Sequence, residues 1–112
     1  MLDQRLLPKR TLDSRRLLRL PVLLRSRIGN SQFGARPVDL TDISILGCRV
    51  TAPFQWSPGT RLLLTIPSLA AMAATVQWSS VSALGLAFEK PLHPFVLDHL
   101  ALNTVRDGQL SR

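Results

Sequence analysis

The sequence predicts a mainly β fold: a six-stranded antiparallel β-barrel with one C-terminal α-helix and a flexible basic N-terminal arm. Three observations predict it. Short apolar segments that alternate with period two recur between residues 21 and 89, with Gly, Pro and Ser between them. An apolar pattern with helical spacing follows only near the end of the chain. The whole net positive charge lies in the first 36 residues.

Length and composition favour one globular domain. The chain has 112 residues, of which 46% are hydrophobic, enough for one modest core and too many for a disordered chain. Its one cysteine, Cys48, excludes an internal disulfide and suits a reducing cytoplasm. No apolar run approaches the length of a membrane span. We expect a cytoplasmic protein with an arm at 1–14, a domain at 15–107 and a tail at 108–112.

The charge is unevenly distributed. Residues 1–36 contain nine Lys and Arg residues against two Asp, a net charge of +7, whereas residues 37–112 sum to zero. Such asymmetry indicates an anionic partner for the N-terminal third: a nucleotide, a nucleic acid or a lipid surface. A solvated arm without a partner is the alternative that composition leaves open.

Alternation and turn residues locate the strands. In the first, Val22, Leu24 and Ile28 are apolar, while Arg25 and Arg27 lie on the other face. The other boundaries follow from Gly, Pro and Ser positions, Pro58-Gly59 being the strongest turn signal. The predicted strands are 21–28, 36–42, 46–52, 61–66, 73–79 and 83–89, with residues 42–47 as a corner.

Three strand and loop residues carry specific expectations. Trp56 lies in a polar turn and is expected to be exposed. Trp78 follows Val76 at a two-residue spacing and is expected in the core. Gly85, inside the last strand, is interpreted as a packing or bulge position.

The end of the chain predicts a helix. Apolar residues between 95 and 106 recur at helical spacing, with Pro94 in the first turn and Gly108 placed to end the helix. We expect this helix to plug one open end of the barrel.

The sequence argues against an enzyme. His93 and His99 are the only histidines, and neither has a cysteine or carboxylate at metal-ligand spacing. Cys48 lies in a predicted strand without a nearby base, as a small buried hydrophobe would. No glycine-rich phosphate loop is present. We therefore predict no catalytic residue, no metal site and no cofactor.

Two motifs remain as candidates for binding. Arg15-x-x-x-Arg19 precedes Asp42-x-Ser44-x-x-Gly47 by about twenty residues. The arginine spacing alone is weak because the chain is rich in arginine. The second motif is rarer, and its position in a β-rich pattern adds specificity.

Together with Val76-Gln77-Trp78 and residues 84–88, these motifs make the chain resemble the PilZ domain family over residues 15–100. The resemblance implies a bacterial receptor for the second messenger cyclic di-GMP. It also implies a six-stranded barrel with a C-terminal helix, in agreement with the strand count.

The arginines suit the acceptors of that ligand. Guanine presents O6 and N7 as paired acceptors, which a guanidinium meets bidentately. The same group pairs with phosphate or lies flat on a purine. Arg15 and Arg19 are therefore candidates for the Hoogsteen edges and phosphates, and Arg16 is an additional candidate for phosphate contact.

The second motif suits the donors of the ligand. The Watson–Crick side of guanine presents N–H groups, which the carboxylate of Asp42 accepts. Ser44 is a candidate for a bond to a phosphate or a guanine edge. Gly47 leaves out a side chain where the ligand or the backbone passes closely.

The resemblance predicts that the protein signals when its N-terminal arm becomes ordered. The basic arm closes over the dinucleotide and docks on the barrel, and a new surface contacts a downstream protein. Because the chain has no output domain, we expect the signal to pass by protein contact.

Three alternatives stay open. Residues 42–44 can be read as an Asx-type turn with Gly47 as a bulge. The chain can be a PilZ-type adaptor that binds no nucleotide. It can also be a small basic barrel for nucleic acid, although its neutral barrel half with few aromatic residues argues against this.

Overall fold

The computed structural model describes the backbone of residues 18–110 and the side chains of residues 18–102. Six antiparallel strands close into a barrel in the order β1-β2-β3-β6-β5-β4, and one helix follows, so the predicted fold class is confirmed. The predicted arm at 1–14, and Arg15 and Arg16, lie outside the described residues. The elements are β1 (Leu20–Asn30), β2 (Gly34–Ile43), β3 (Gly47–Thr51), β4 (Arg61–Thr65), β5 (Met72–Ser79), β6 (Ala83–Phe88) and α1 (Pro94–Leu110).

Alternation explains the barrel. In β1 the apolar Val22, Leu24 and Ile28 are buried while Arg25 and Arg27 are exposed, as predicted. All six predicted strands are present, with ends that differ from the prediction by at most two residues. Alternate residues of every strand fill the interior, and each fully buried aliphatic side chain contributes about 1.5–3 kcal/mol. The innermost strand residues include Ile28, Leu40, Val50, Leu64, Val76 and Leu84.

The helix α1 covers one end of the barrel. Leu97 and Leu100 belong to the buried core, and the backbone N–H of Leu92 donates to the carbonyl of Ile45 at 2.9 Å. The helix begins at Pro94 but continues through Gly108 to Leu110, so the predicted end at Gly108 is wrong. Glycine lowers helix propensity by about 1 kcal/mol without removing a hydrogen bond. No helix in the described part of the chain is long and apolar enough to cross a membrane.

Aromatic residues close the other end. The Trp56 ring stacks on Phe33 at 4.9 Å and meets Phe54 at 5.2 Å. The guanidinium of Arg36 lies 5.1 Å from the Phe54 ring. Trp56 is only 4% exposed, so the prediction of an exposed Trp56 is wrong. Its polar neighbours indicate a loop correctly, but Phe33, which is distant in sequence, covers the ring.

Trp78 also differs from its prediction. Its side chain is 41% exposed instead of buried. The register passes from Val76 opposite Leu86 to Trp78 opposite Gly85, so β5 has one extra residue, Gln77. This β-bulge moves Trp78 to the outer face. A Cβ atom on Gly85 would overlap the indole, which confirms Gly85 as a packing position opposite a bulge.

Candidate functional site

The corner between β2 and β3 is built by Ser44. Its backbone N–H donates to the carbonyl of Gly47 at 2.8 Å. Its hydroxyl accepts from the N–H groups of Leu46 and Gly47, both at 3.2 Å, and donates to the Gly47 carbonyl at 3.3 Å. Ser44 is 5% exposed. A serine hydroxyl has one donor and two acceptor positions, so the corner uses them all.

This geometry changes the interpretation of the corner. The alternative based on an Asx-type turn assigned the turn to Asp42, whereas Ser44 makes it. The carboxylate of Asp42 is thereby left out of the turn. The predicted bond from Ser44 to a ligand stays a prediction, and it requires one of the corner hydrogen bonds to be exchanged.

We expect Ser44→Ala to lower the free energy of unfolding by about 1–3 kcal/mol, because two backbone donors lose their acceptor in a buried corner. Chemical denaturation followed by circular dichroism measures this. Ser80→Ala is the matched control: Ser80 bonds the Ala83 carbonyl at 3.3 Å in an exposed turn, so its removal is expected to cost under about 1 kcal/mol. Equal losses in the two variants would contradict the role of Ser44.

Gly47 is required by its neighbouring strand. It pairs with Ala87 of β6, and a Cβ atom at Gly47 would overlap the carbonyl oxygen of Leu86. Of the two reasons proposed for this glycine, close approach of the backbone is therefore present in the structure.

Arg19 and Asp42 meet on the outer face of the barrel. Asp42 precedes the fully buried Ile43, so its side chain points outward. Arg19 Nη1 donates to Asp42 Oδ1 at 2.6 Å, across 23 positions of sequence. The side chains are 51% and 26% exposed, respectively. The structure thus brings one residue of each predicted motif together at the start of β1.

A cleft of about 410 Å³ is lined by Arg19 of this pair but not by Asp42. Such a volume falls within the usual range of small-molecule sites, about 300–1,000 Å³. Its lining combines polar groups with an apolar wall: Arg19, Ser44, Leu46, Gly47, Gln77, Leu86, Ala87 and Phe88. A cleft of similar volume, 440 Å³, lies beside Arg25 and Asp39 and contains no motif residue. Volume alone therefore does not choose between them, whereas the motif residues select the first.

Two further residues at this face, Gln77 and Arg49, are not among the predicted site residues. Gln77 reaches the cleft through the bulge in β5, which no local pattern signals. Arg49 is exposed two positions after Gly47, on the same face of β3. The period-two alternation was a signal that could have identified it.

The surroundings of Cys48 and His93 do not suit the catalytic or metal-binding roles that were considered for them. Cys48 is fully buried, and burial together with the negative charge of Asp42 raises the pKa of its thiol far above the usual range. The thiol therefore stays protonated and is no nucleophile. His93 accepts a hydrogen bond from the Phe95 N–H at 3.1 Å at the start of α1. Within residues 18–102, no three potential metal-ligating side chains cluster.

Comparison with protein families identifies the family of this chain. The family model described as the PilZ domain matches residues 9–100, most of the chain. None of the curated proteins matches the chain significantly.

Proposed function

This chain belongs to the PilZ domain family, a family of cyclic di-GMP-binding domains, and we propose that it is a non-catalytic receptor for that dinucleotide. One observation carries the proposal: the carboxylate of Asp42 is held outward and paired with Arg19, which lines an open cleft. The ligand site we propose consists of Arg15, Arg16, Arg19, Asp42, Ser44 and Gly47.

The carboxylate is the guanine-reading group. Ser44 forms the corner, and within residues 18–102 Arg19 alone pairs with the Asp42 carboxylate, so its other acceptor positions are available there. A carboxylate accepts up to about four hydrogen bonds, and guanine offers N1–H and N2–H₂ side by side. Asp42 can therefore accept both donors of one base.

Arg19 changes partner when the ligand binds. The ion pair with Asp42 lies at the surface and is partly exposed, and surface pairs contribute about 0–1 kcal/mol. Replacing this ion pair with a hydrogen bond from a guanine N–H to Asp42 therefore costs little free energy. The released guanidinium can then meet O6 and N7 of guanine, or a phosphate, and Arg15 and Arg16 supply further positive charge.

We base the signalling mechanism on the position of Arg19, which directly precedes β1 and follows the basic N-terminal arm in sequence. We infer that the N-terminal arm closes over the bound dinucleotide and is fixed against the barrel, which creates a surface for a downstream protein. The cytoplasm is the compartment that we propose, in keeping with the free, buried Cys48.

Isothermal titration calorimetry with cyclic di-GMP tests the function. We expect saturable binding by the wild-type protein. Arg15→Ala and Arg19→Ala are each expected to weaken it by about tenfold or more, because each removes a charge-assisted contact.

Arg25→Ala is the control for net charge, since Arg25 is exposed on β1 and lines the other cleft. Its affinity should stay within about twofold of wild type. Folded wild-type protein that gives no heat at high ligand concentration would support a non-binding adaptor instead. Tight, salt-sensitive binding of RNA that cyclic di-GMP fails to displace would support a nucleic-acid barrel.

A further inference from the structure

Arg49 lies beside Asp42 on the outer face. Its neighbours Cys48 and Val50 are fully buried, so alternation directs Arg49 outward, and its side chain is exposed. The strand register places Arg49 directly opposite Asp42 of β2. Residues directly opposite in an antiparallel pair have Cβ atoms about 4.5–5.5 Å apart.

The same register extends the row across the sheet. Arg49 is opposite Gly85 of β6, and Gly85 is opposite Trp78 of β5. The indole lies against Gly85, where a Cβ atom would overlap it. The outer face therefore presents a carboxylate on β2, a guanidinium on β3 and a partly exposed indole on β5, which lies against Gly85 of the intervening β6.

Bulges lie at both ends of this row. The register shifts between Leu40 and Asp42 in β2, and between Val76 and Trp78 in β5. Bulges redirect side chains, and they occur often beside functional sites. Here they direct Asp42 and Trp78 to the face that Arg49 occupies.

The ion pair between Arg19 and Asp42 leaves the guanidinium of Arg49 available to bind a ligand. An opposed Asp and Arg are natural partners across two strands. The carboxylate of Asp42 pairs instead with Arg19, and within residues 18–102 Arg49 has no ion pair. Among the described side chains, this exposed cation is therefore a donor placed next to the acceptor of Asp42.

We propose that Arg49 is a guanine-reading residue of the site, and this inference rests on the proposed function. On guanine, O6 lies between N1 and N7, so the donor and acceptor groups are adjacent. Asp42 accepts from N1–H and N2–H₂, while Arg49 donates to O6 and N7 of the same base. The adjacent pair would thus distinguish guanine from adenine, which lacks O6 and N1–H.

The test compares two arginine variants by calorimetry with cyclic di-GMP. Arg49→Ala is expected to weaken binding by about 10- to 100-fold. Arg27→Ala is the matched control, because Arg27 is an exposed arginine of β1 that faces Pro37 and Thr65 outside the row. Its affinity should stay within about twofold of wild type. Thermal unfolding of both variants verifies that the barrel is intact.

A ligand carrying 7-deazaguanine in place of both guanines tests the contact itself. Without N7, the penalty of Arg49→Ala should shrink by about threefold or more, because one of its two hydrogen bonds is already missing. An equal penalty with both ligands would assign Arg49 to a phosphate and overturn the guanine-reading role.

Failure of the role of Arg49 and failure of the proposed function give different results. If the wild type binds and Arg49→Ala binds like Arg27→Ala, only the role of Arg49 is overturned. If folded wild-type protein binds no cyclic di-GMP, the proposed function fails, and the role of Arg49 fails with it.

Discussion

Asp42→Ala is expected to weaken cyclic di-GMP binding by about 100-fold while lowering the free energy of unfolding by less than about 1 kcal/mol. Affinity falls because the two guanine donors lose their shared acceptor. Stability changes little because the corner is held by Ser44, and the ion pair with Arg19 lies at the partly exposed surface. Calorimetry and chemical denaturation of the same preparation measure both quantities.

Asp39→Ala is the control for this experiment. Asp39 is a half-buried aspartate on the same strand, opposite Arg25, and it lines the other cleft. Its loss removes the same charge and should leave affinity within about twofold. If Asp42→Ala unfolds more easily by several kcal/mol, Asp42 is part of the scaffold and our assignment of its role is wrong.

Gly47→Ala is expected to lower the free energy of unfolding by about 1–3 kcal/mol, with a fall in melting temperature of roughly 4–8 °C for each kcal/mol. The added methyl group would overlap the backbone carbonyl of Leu86, and backbone in a closed barrel cannot move without separating β3 from β6. Thermal unfolding followed by circular dichroism measures the effect.

Gly85→Ala is the matched comparison. Its added methyl group also overlaps a neighbour, but that neighbour is the partly exposed indole of Trp78, a side chain that can turn away. We expect a loss below about 1 kcal/mol, with a change in tryptophan fluorescence as the indole moves. Equal destabilisation in both variants would argue against the backbone overlap as the cause at Gly47.

These two predictions separate the residues of one motif by role. Ser44 and Gly47 shape the corner and its contact with β6, whereas Asp42 faces outward to Arg19. A loss of binding in a Ser44 or Gly47 variant therefore needs a stability measurement beside it. A loss of binding in an Asp42 variant with unchanged stability is evidence that Asp42 contacts the ligand.

The local sequence pattern was sufficient to predict most of the fold. The alternation of Val22, Leu24 and Ile28 with arginines predicts one buried face for β1, because side chains on a strand point to opposite sides in turn. Turn residues located the other strands within two positions, and helical spacing located α1. These signals connect residues a few positions apart, which the sequence displays directly.

The candidate site depended on pairing across long distances in sequence. The motif spacing singled out Arg19 and Asp42, but only the closed barrel joins them across 23 positions. The outward turn of Trp78 depends on one extra residue in β5, and the importance of Arg49 depends on which residue faces it in β2.

Apolar periodicity and turn chemistry are local properties, so they were enough to predict the barrel and its terminal helix, and the two motifs are visible in the sequence. Only the folded barrel shows which motif residues build the corner and which face outward. It also decided which neighbours share that face. Strand register and bulges are set by contacts between distant segments. Each can reverse the side of the sheet on which a residue lies, and so decide whether its side chain is buried.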